Sequence, residues 1–401
     1  MNARTNTTMA EAGRRGDDIR SDCWVRITLV DTGAVEVSVK TKVESMYGDS
    51  IRRLVADELA SLGIQSARVE IEDTGALPFV IMARVETAAR RLGLDVGEGY
   101  LPEAAPGMQQ SSARGRLRRS RLYLPGNEPK FMLNAALHAP DGIILDLEDS
   151  VAPSEKDAAR VLARNALRVL DLHRVERMVR INQGHLGLTD LDFVVAQSVH
   201  VVLIPKVESA DQVRRVDARV KEILARQGME HTVFLMPIVE SALGAMRAYE
   251  IATASESVVA LTIGLEDYTA DIGAARTVEG KESLWARSQV LNAARAAGVQ
   301  PIDSVFADVA DMDSLRASVL EAKALGFEGK GCIHPRQIAV IHEAFTPNEQ
   351  ELAKARRIVE AFHEAQARGL TVVSLGTKMI DPPVVKRAER LVRLAEAIRE
   401  T

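Results

Sequence analysis

Two segments decide the fold of this chain: Met236-Pro237-Ile238-Val239-Glu240-Ser241 and Ile263-Gly264-Leu265-Glu266-Asp267-Tyr268. Each follows an apolar run typical of a buried strand, and residues 241–256 between them are rich in helix-forming Ala, Leu, Met and Glu. Consecutive strands of a parallel sheet point in the same direction. This strand–acid–helix–strand–acid unit therefore brings both acids to one face.

The acids that end the two strands, Glu240 and Asp267, are candidate ligands for Mg²⁺. Hard divalent cations prefer carboxylate oxygens, and Gly264 leaves space beside the acids because it has no side chain. The alternative is that both acids cap the helices that follow them. On these two segments alone, both interpretations stay open.

The composition is that of an ordinary globular protein. The 401 residues are 46% hydrophobic and 27% charged, which predicts two or three domains with ample core. A net charge of −5 and a pI near 6.0 give no reason to expect nucleic-acid binding. Cys23 and Cys332 form no CxxC motif, which argues against a zinc site and favours a cytoplasmic location. The chain lacks an apolar run of about 18 residues, so no membrane span is predicted.

The first part of the chain predicts a small α+β domain over residues 21–95, after a disordered polar tail at residues 1–20. Period-two alternation and helical spacing predict its elements, which are strands at 23–30, 35–40, 67–72 and 79–85 and a helix at 47–62. The region has no obvious catalytic cluster. This favours a carrier or binding module over an enzyme.

Residues 96–118 predict a flexible linker. Gly97, Gly99, Pro102 and the polar run Gln109-Gln110-Ser111-Ser112 show no helical or strand period. Five arginines mark its end: Arg114, Arg116, Arg118, Arg119 and Arg121. A charge run of this kind is typical of solvated surface.

From Arg119 onward, strand-like runs alternate with amphipathic helices. The eight runs lie at 121–124, 142–146, 177–181, 201–205, the two opening segments, 304–306 and 331–333. This rhythm predicts a (β/α)₈ TIM barrel over residues 119–345, followed by a C-terminal helical extension at 346–401. A doubly wound open sheet is the alternative, but Pro125-Gly126-Asn127-Glu128-Pro129 is not the GxGxxG loop expected after its first strand.

Polar residues follow the predicted barrel strands, where a TIM barrel places its active site. They are Asp146, Glu148, Asp149, Arg180, Asn182, Lys206, Glu208, Glu240, Glu266, Asp267, Asp308 and His334. Their concentration at the strand ends strengthens the case for a metal site at Glu240 and Asp267.

Several motifs in the second part of the chain resemble the citrate lyase β subunit and the wider HpcH/HpaI aldolase group. They are Arg118-Arg119-Ser120, Leu124-Pro125-Gly126-Asn127, Leu145-Asp146-Leu147-Glu148-Asp149, Val179-Arg180-Ile181-Asn182, the two opening segments, His334-Pro335-Arg336-Gln337 and Gly376-Thr377-Lys378-Met379-Ile380-Asp381. The match runs in order over about 119–397. This group includes malyl-CoA and citramalyl-CoA lyases, which are Mg²⁺-dependent barrel enzymes.

The first domain resembles the citrate lyase acyl carrier (gamma) subunit. The similar stretches are 36–40, Val43-Glu44, Tyr47-Gly48-Asp49-Ser50-Ile51-Arg52 and Asp73-Thr74-Gly75-Ala76-Leu77. In that family a serine carries phosphoribosyl-dephospho-CoA, whose thiol holds the acyl chain. The resemblance implies attachment at Ser21, although Ser21 stands one place from the expected serine and the usual glycine is missing. A domain kept for packing or assembly is the alternative.

The barrel resemblance implies a retro-Claisen lyase that cleaves a citryl thioester, or a similar 3-hydroxyacyl thioester, to an oxaloacetate-like keto acid and an acetyl-type thioester. Glu240 and Asp267 would hold Mg²⁺, and Arg180 would anchor a carboxylate through its bidentate fork. The alternative for Arg180 is an ion pair with Asp146 or Glu148. Glu148 would act in catalysis by ordering metal-bound water with Asp149.

Further roles follow from the same resemblance. Arg119, Lys206 and Asp149 would bind the substrate or CoA. Asp381 would reach the active site of a neighbouring subunit and handle the proton on the enolate carbon, which implies a homo-oligomer such as a trimer or hexamer. Alternatively, Asp381 caps the helix that begins at Pro382.

Three functions stay open at the level of the sequence. The first is cleavage of a carrier-bound citryl-type thioester, which would involve a citrate lyase α-subunit partner. The second is a stand-alone lyase for a CoA ester such as malyl-CoA, citramalyl-CoA or hydroxymethylglutaryl-CoA, with a vestigial carrier domain. The third is a non-catalytic carrier or scaffold subunit.

Overall fold

The structure, a computed structural model, describes residues 8–97, 99–105, 111–172, 174–367, 369, 372–375 and 378–400. Gln109 and Gln110 of the predicted linker and Gly376-Thr377 of the C-terminal motif lie outside these ranges. The first region contains β1 (Met9–Gly13), β2 (Cys23–Leu29), β3 (Val35–Lys40), α1 (Glu44–Ser61), β4 (Ala67–Asp73) and α2 (Pro78–Arg91). Its four strands form one sheet in the order β1-β2-β4-β3.

The predicted disordered tail is wrong for residues 9–13. These residues form β1, which pairs with β2 in antiparallel register from Met9 opposite Thr28 to Gly13 opposite Trp24. Ala10 and Ala12 point into the core of the sheet and are buried. Small alanines within a polar stretch give little alternation in hydropathy, so the sequence pattern does not reveal this strand.

The predicted strand at 79–85 is also wrong, because these residues lie in α2. Pro78 occupies the first turn of the helix, where its fixed φ is favourable and its missing N–H costs nothing. One side of α2 packs Ile81 and Val85 into the core of the first region. The other side packs Phe79, Val80 and Ala83 into the core of the barrel. A helix buried on both sides has a continuous apolar run that resembles a strand.

The second region is a closed parallel barrel, which confirms the predicted fold class. Its eight strands are β5 (Ser120–Pro125), β6 (Gly142–Asp146), β7 (Glu176–Arg180), β8 (Val201–Ile204), β9 (Phe234–Val239), β10 (Ala260–Ile263), β11 (Gln300–Asp303) and β12 (Gly329–Cys332). The ring closes where β12 pairs with β5, from Lys330 opposite Ser120 to Cys332 opposite Leu122. All pairs in the ring are parallel, so the strands end on one face.

Helices surround the barrel and continue past it. They are α3 (Pro129–Met132), α4 (Lys156–Val169), α5 (Gly184–Val194), α6 (Ala210–Arg226), α7 (Ala242–Met246), α8 (Ala248–Ala252), α9 (Leu265–Asp271), α10 (Leu284–Ala297), α11 (Met312–Leu325), α12 (Arg336–Phe345), α13 (Glu349–Ala367) and α14 (Pro382–Glu400). Strands β13 (Val373–Leu375) and β14 (Lys378–Ile380) form a hairpin between α13 and α14. Among the described helices, none has the length and apolar character needed to cross a bilayer.

The seventh barrel strand lies earlier than predicted. The sequence points to Ser304-Val305-Phe306, whereas β11 spans Gln300–Asp303. Gln, Pro and Asp are poor strand residues by composition. They are tolerated here because Asp303 is held in an ion pair with Arg287 and Lys330, and the Gln300 amide side chain bonds Arg116 and Arg118.

The first region docks on the barrel through α2, which packs against α4. Arg164 of α4 makes a two-pronged ion pair with the fully buried Glu86 of α2. The side-chain amide of Asn165 donates to the Phe79 carbonyl over 3.1 Å. Arg84, also on α2, donates to both oxygens of Asp22 at 2.9 Å and to the carbonyl of Asn127, just beyond β5. These buried polar contacts fix the orientation of the two regions.

The prediction of a flexible linker at 96–118 is wrong for its last residues. Arg118 is buried and pairs with Glu176, which begins β7, through two hydrogen bonds of 2.7 and 2.8 Å. Ser112 donates to the same glutamate. Earlier in the segment, the amide of Ala105 donates to the carbonyl of Arg168 on the barrel. Only the charge of Arg118 is visible in the sequence, and its buried partner lies 58 residues away.

A buried acid in the first region generates a prediction about pH and stability. Glu58 of α1 is 0% exposed, and it lies with Glu86 around Gly99, where a Cβ atom added to the glycine would approach both carboxylates within 2.7 Å. Burial, together with the charge of Glu86, raises the pKa of Glu58 to about 8. Between pH values of about 4.3, the pKa of an unfolded glutamate, and 8, folding is accompanied by uptake of a proton at Glu58. The free energy of unfolding therefore falls as the pH rises through this window.

We expect Glu58→Gln to be more stable than the wild type, by a margin that grows as the pH rises from 5 to 8. Thermal unfolding across this range measures the margin, and Glu360→Gln, an exposed site on α13, is the matched control. A Tm difference that is independent of pH would contradict the assignment.

Candidate active site

A cavity of about 390 Å³ opens at the C-terminal ends of the barrel strands. Its wall brings together residues from β5, β6, β7, β9, β10 and β11: Arg121, Tyr123, Asp146, Asp149, Ser150, Arg180, Ile238, Glu240, Thr262, Gly264, Glu266, Asp267, Asp303 and Ser304 are among them. Four of the predicted site residues, Asp149, Arg180, Glu240 and Asp267, therefore line one cavity. TIM-barrel enzymes carry their active sites at this end of the barrel, so the cavity lies where an active site is expected.

Arg180 at the end of β7 is held by Asp146 at the end of β6. Two parallel hydrogen bonds of 2.6 and 2.7 Å join the guanidinium to the carboxylate. Burial disfavours the charged form of Asp146, but the bonds from Arg180 outweigh it and keep the pKa of Asp146 below its ordinary value. Burial likewise opposes the charge of Arg180, while Asp146 raises its pKa. The alternative predicted for Arg180, an ion pair with Asp146 or Glu148, is therefore present in the structure.

The other edge of the same guanidinium also faces acids. Its second amino group lies 3.0 Å from Glu148 and 3.7 Å from Asp149. Its planar face lies over the Tyr123 ring, 5.3 Å from the ring centre. The pair with Asp146 thus fixes the plane of Arg180 and turns the other edge toward the cavity.

Glu148 and Asp149 lie together with Lys206, which follows β8. The Lys206 ammonium is 3.2 Å from Glu148, 3.2 Å from Asp149 and 3.4 Å from Asp267. Burial lowers the pKa of Lys206, but its acidic neighbours raise it above its ordinary value. Burial and Asp149 raise the pKa of Glu148. Lys206 has φ of +49°, a left-handed conformation that turns its backbone N–H toward Glu240.

Glu240 follows β9 and is 5% exposed. Its Oε1 accepts a hydrogen bond of 3.0 Å from the Lys206 backbone, and its Oε2 rests against Gly264, where any Cβ would lie only 2.7 Å away. Burial, and then the nearby Asp267 carboxylate, raise the pKa of Glu240 to about 8. Two acids that share so little countercharge suit a bound cation.

These residues fit a hard divalent cation. Glu240 and Asp267 present carboxylate oxygens side by side, and Gly264 provides a cradle that any larger residue would fill. Within the described ranges, no group of three or more His, Cys, Asp or Glu residues is arranged to hold a metal. Mg²⁺ commonly uses only one or two protein carboxylates and completes its octahedron with water and substrate oxygens, so two acids are sufficient.

Arg119, predicted to bind the substrate or CoA, lies outside the cavity. Arg119 precedes β5 and donates three hydrogen bonds of 2.7–2.9 Å, from its backbone and side chain, to Asp141, which precedes β6. Both residues therefore lie at the N-terminal end of the barrel, opposite the cavity. Residues at this end of a TIM barrel serve stability rather than chemistry.

Ser21 lies in the docked first region rather than in the cavity. It has φ of +57°, and its backbone N–H donates to the Thr74 carbonyl over 3.0 Å. The next residue, Asp22, is bonded through Arg84 to the carbonyl of Asn127. Since Gly126 bonds the Asp146 carbonyl, a short chain of contacts joins Ser21 to the rim of the cavity.

Asp381 begins α14, and its side chain accepts a hydrogen bond of 3.2 Å from the Val384 backbone. The helix-cap interpretation is therefore satisfied in the structure. Arg390, farther along α14, pairs with Glu328, which precedes β12 at the N-terminal end of the barrel. Within one chain, the described contacts do not bring Asp381 to the cavity.

Arg121 and Tyr123 are among the cavity residues that the sequence analysis did not identify as candidates. Arg121 and Tyr123 alternate with the outward-facing Leu122 and Leu124 along β5, so they point into the barrel. Arg121 was assigned to solvated surface together with the rest of the arginine run. That assignment is wrong for three of its members, because Arg118, Arg119 and Arg121 are buried. Alternation along β5 was the available clue.

Comparison with known proteins adds to this geometry. Residues 119–335 match the family described as HpcH/HpaI aldolase/citrate lyase, and residues 15–92 match the malonate decarboxylase delta subunit (MdcD) family of acyl carriers. The chain is 40% identical to the citrate lyase subunit beta of Haemophilus influenzae over 71% of its own length and 99% of that protein's. It is 34% identical to the mitochondrial citramalyl-CoA lyase of Mus musculus, over 71% of its own length and 87% of that protein's.

A solved structure shares the barrel. The CitE protein of Mycobacterium tuberculosis, in complex with magnesium, acetoacetate and coenzyme A, is 33% identical and superimposes with a TM-score of 0.59. The alignment covers 71% of this chain and 100% of that one. The match to the HpcH/HpaI aldolase/citrate lyase family begins at residue 119, after the first region.

Proposed function

Because this chain belongs to the HpcH/HpaI aldolase/citrate lyase family, we propose that it is a Mg²⁺-dependent carbon–carbon lyase that cleaves a 3-hydroxyacyl thioester. The products are a keto acid and an acetyl-type thioester. The observation that carries the proposal is the convergence of Arg180, Glu240 and Asp267 on one cavity at the C-terminal ends of the strands. The magnesium in the CitE complex supports the choice of metal.

The residues of the cavity can divide the reaction between them. The hydroxyl gives its proton to a carboxylate of the cavity wall, the bond between the hydroxyl-bearing carbon and the carbon next to the thioester breaks, and the electron pair moves to the thioester as an enolate. Protonation of the enolate carbon then gives the acetyl-type product. Mg²⁺, when bound by Glu240 and Asp267, supplies Lewis-acid stabilisation of the developing negative oxygen.

Arg180 binds and orients the carboxylate of the departing keto acid. Asp146 locks its plane, so the Nη1 edge, which pairs with Glu148 in the structure, is pre-organised to meet a planar anion when the substrate binds. Glu148 and Asp149 hold the Lys206 ammonium and order water at the wall of the cavity. Lys206 also lies where it can contact the substrate.

We expect Asp267→Asn to abolish Mg²⁺-dependent cleavage while the chain stays folded, because the amide keeps the shape of Asp267 but removes the charge that binds the cation. Cleavage of a panel of CoA esters, with and without EDTA, measures the loss. Asp211→Asn, on the surface of α6, is the control. Full Mg²⁺-dependent activity in Asp267→Asn would remove the metal assignment.

We also propose that Asp381 supplies the proton to the enolate carbon in a neighbouring subunit, so that the active unit is a homo-oligomer such as a trimer or hexamer. The position of Asp381, on an extension beyond the barrel and away from its own cavity, supports this assignment. A carboxyl group is chemically able to donate this proton.

Mixing two inactive variants tests the shared site. We expect Asp381→Ala and Glu240→Ala chains, refolded or exchanged together, to recover part of the activity, because some cavities then combine an intact Asp381 with an intact Glu240. Each variant alone is the control. Mixed oligomers, verified by mass spectrometry, that stay inactive would place Asp381 outside the chemistry of a neighbour.

For the first region, we propose that Ser21 carries phosphoribosyl-dephospho-CoA and presents the acyl thioester to the cavity. The match to an acyl carrier family and the contacts that join Asp22, Arg84 and Asn127 support this role. An α-subunit partner would then load the carrier. Cleavage of free CoA esters is the second candidate, favoured by the likeness to a citramalyl-CoA lyase.

The intact mass of the chain from its native host separates the two candidates. A carrier enzyme shows a mass increment on the peptide that contains Ser21, and Ser21→Ala removes it. Ser38→Ala, at the sheet of the same region, is the control for an unrelated serine. An unmodified chain that cleaves free CoA esters would make the carrier role wrong.

A further inference from the structure

Arg121 lies on the floor of the catalytic cavity, inside the barrel. It points inward from β5 together with Tyr123, whereas Leu122 and Leu124 face the surrounding helices. One of its amino groups contacts the Met236 sulfur at 3.1 Å, and Met236 belongs to the inner core of the barrel. Only 1% of Arg121 is exposed.

The guanidinium of Arg121 has weak polar partners. Its other amino group lies 3.4 Å from the Thr262 hydroxyl and 3.5 Å from the Asp303 carbonyl, and its Nε has no hydrogen-bond partner among the described residues. The Asp303 carboxylate is already bonded to Arg287 at 3.1 Å and to Lys330 at 2.8 Å. Burial lowers the pKa of Arg121, as expected for a cation without a carboxylate beside it.

Other buried arginines of the chain differ in this respect. Arg84, Arg118 and Arg119 each form a bidentate pair with an acid, namely Asp22, Glu176 and Asp141. A buried cation without an anion is costly, and a well-packed apolar residue would be more stable at its position. Arg121 is thus suited to a negative group that enters from the cavity.

The height of Arg121 along the barrel axis indicates which negative group of a ligand could reach it. Its partner Thr262 lies two residues before Gly264, against which Glu240 rests. Two residues of a strand rise about 6.6 Å, so Arg121 lies one layer below the acids that would hold the metal. A carboxymethyl substituent on the reacting carbon, plus one hydrogen bond of about 2.8 Å, spans such a distance.

We propose that Arg121 binds a second carboxylate of the substrate, one that the keto-acid product retains, and so selects thioesters of hydroxy acids with two free carboxylates. Arg180 takes the carboxylate beside the reacting carbon, and Arg121 takes the distal one. This inference rests on the proposed lyase function and assigns its substrate class. A substrate with hydrogen or methyl at that position leaves Arg121 without an anion.

The test compares keto acids that differ in the distal carboxylate. Binding of oxaloacetate and of pyruvate to the full chain with Mg²⁺ is measured by calorimetry, and kcat/KM is measured for citryl-CoA and citramalyl-CoA. Arg121→Met is the variant, because methionine is unbranched, of similar length and apolar, so it packs beside Met236. Arg214→Met, on the exposed face of α6, is the control.

We expect Arg121→Met to weaken oxaloacetate binding about 10- to 100-fold, the scale of a lost charge-assisted hydrogen-bond pair, and to lower kcat/KM for citryl-CoA to match. Pyruvate binding and citramalyl-CoA cleavage should not fall in parallel, because neither ligand carries the distal carboxylate. Arg121→Lys, which keeps the charge without the fork, should show a smaller loss with the same selectivity. It serves as the second variant if Arg121→Met does not fold.

Two outcomes distinguish a failure of the role proposed for Arg121 from a failure of the proposed lyase function. A wild-type chain that binds both keto acids, with a preference that neither Arg121 variant alters, overturns the role of Arg121 and leaves the lyase function standing. A wild-type chain that binds neither keto acid and cleaves neither thioester overturns the proposed function and this inference with it.

Discussion

The buried pair between Asp146 and Arg180 organises the catalytic end of the barrel. Asp146 accepts two bonds from Arg180 and also accepts the backbone N–H groups of Glu148 and Ser150, which shapes the loop after β6. That loop presents Glu148 and Asp149 to Lys206, and the Lys206 backbone in turn holds Glu240. Because β6, β7, β8 and β9 are neighbours in a parallel ring, four strand ends are linked by one hydrogen-bonded network.

The contacts between the two regions show why a carrier-like domain can be part of this chain rather than a separate subunit. The interface buries charge, and each buried charge described above has a partner across or beside it: Arg164 with Glu86, and Arg84 with Asp22. Such pairs add little net stability, but they penalise any other docked orientation, since a changed fit would bury Glu86 or Arg164 without its partner. The docked position places the Ser21–Asp22 turn near Asn127 in every copy.

Periodicity predicted the barrel and most strand ends because each strand is short, apolar and buried, and each helix has one apolar face. It failed where tertiary contacts override local preference. The apolar run at 79–85 became a helix because α2 packs between two cores, and Gln300–Asp303 became a strand through Arg287 and Lys330. The candidate residues that follow β6 to β10 could be predicted from the order of the strands. Arg119 and Arg121 could not, because their positions depend on where β5 begins and on which side chains of β5 point into the barrel.

The charges of the cavity are arranged in two layers. The upper layer holds five acids, Asp146, Glu148, Asp149, Glu240 and Asp267, against two cations, Arg180 and Lys206. Burial and the Asp267 carboxylate raise the pKa of Glu240 to about 8, and a layer with more acids than cations suits a divalent cation.

The lower layer holds Arg121 with no acid of its own and suits an anion. A hydroxyacyl thioester with one carboxylate on its hydroxyl-bearing carbon and a second, distal carboxylate would satisfy both layers at once, because its oxygens would complete the metal site above while the distal carboxylate neutralises the guanidinium below. Ligand binding should therefore also stabilise the fold, by an amount that rises with the logarithm of the free-ligand concentration relative to its dissociation constant.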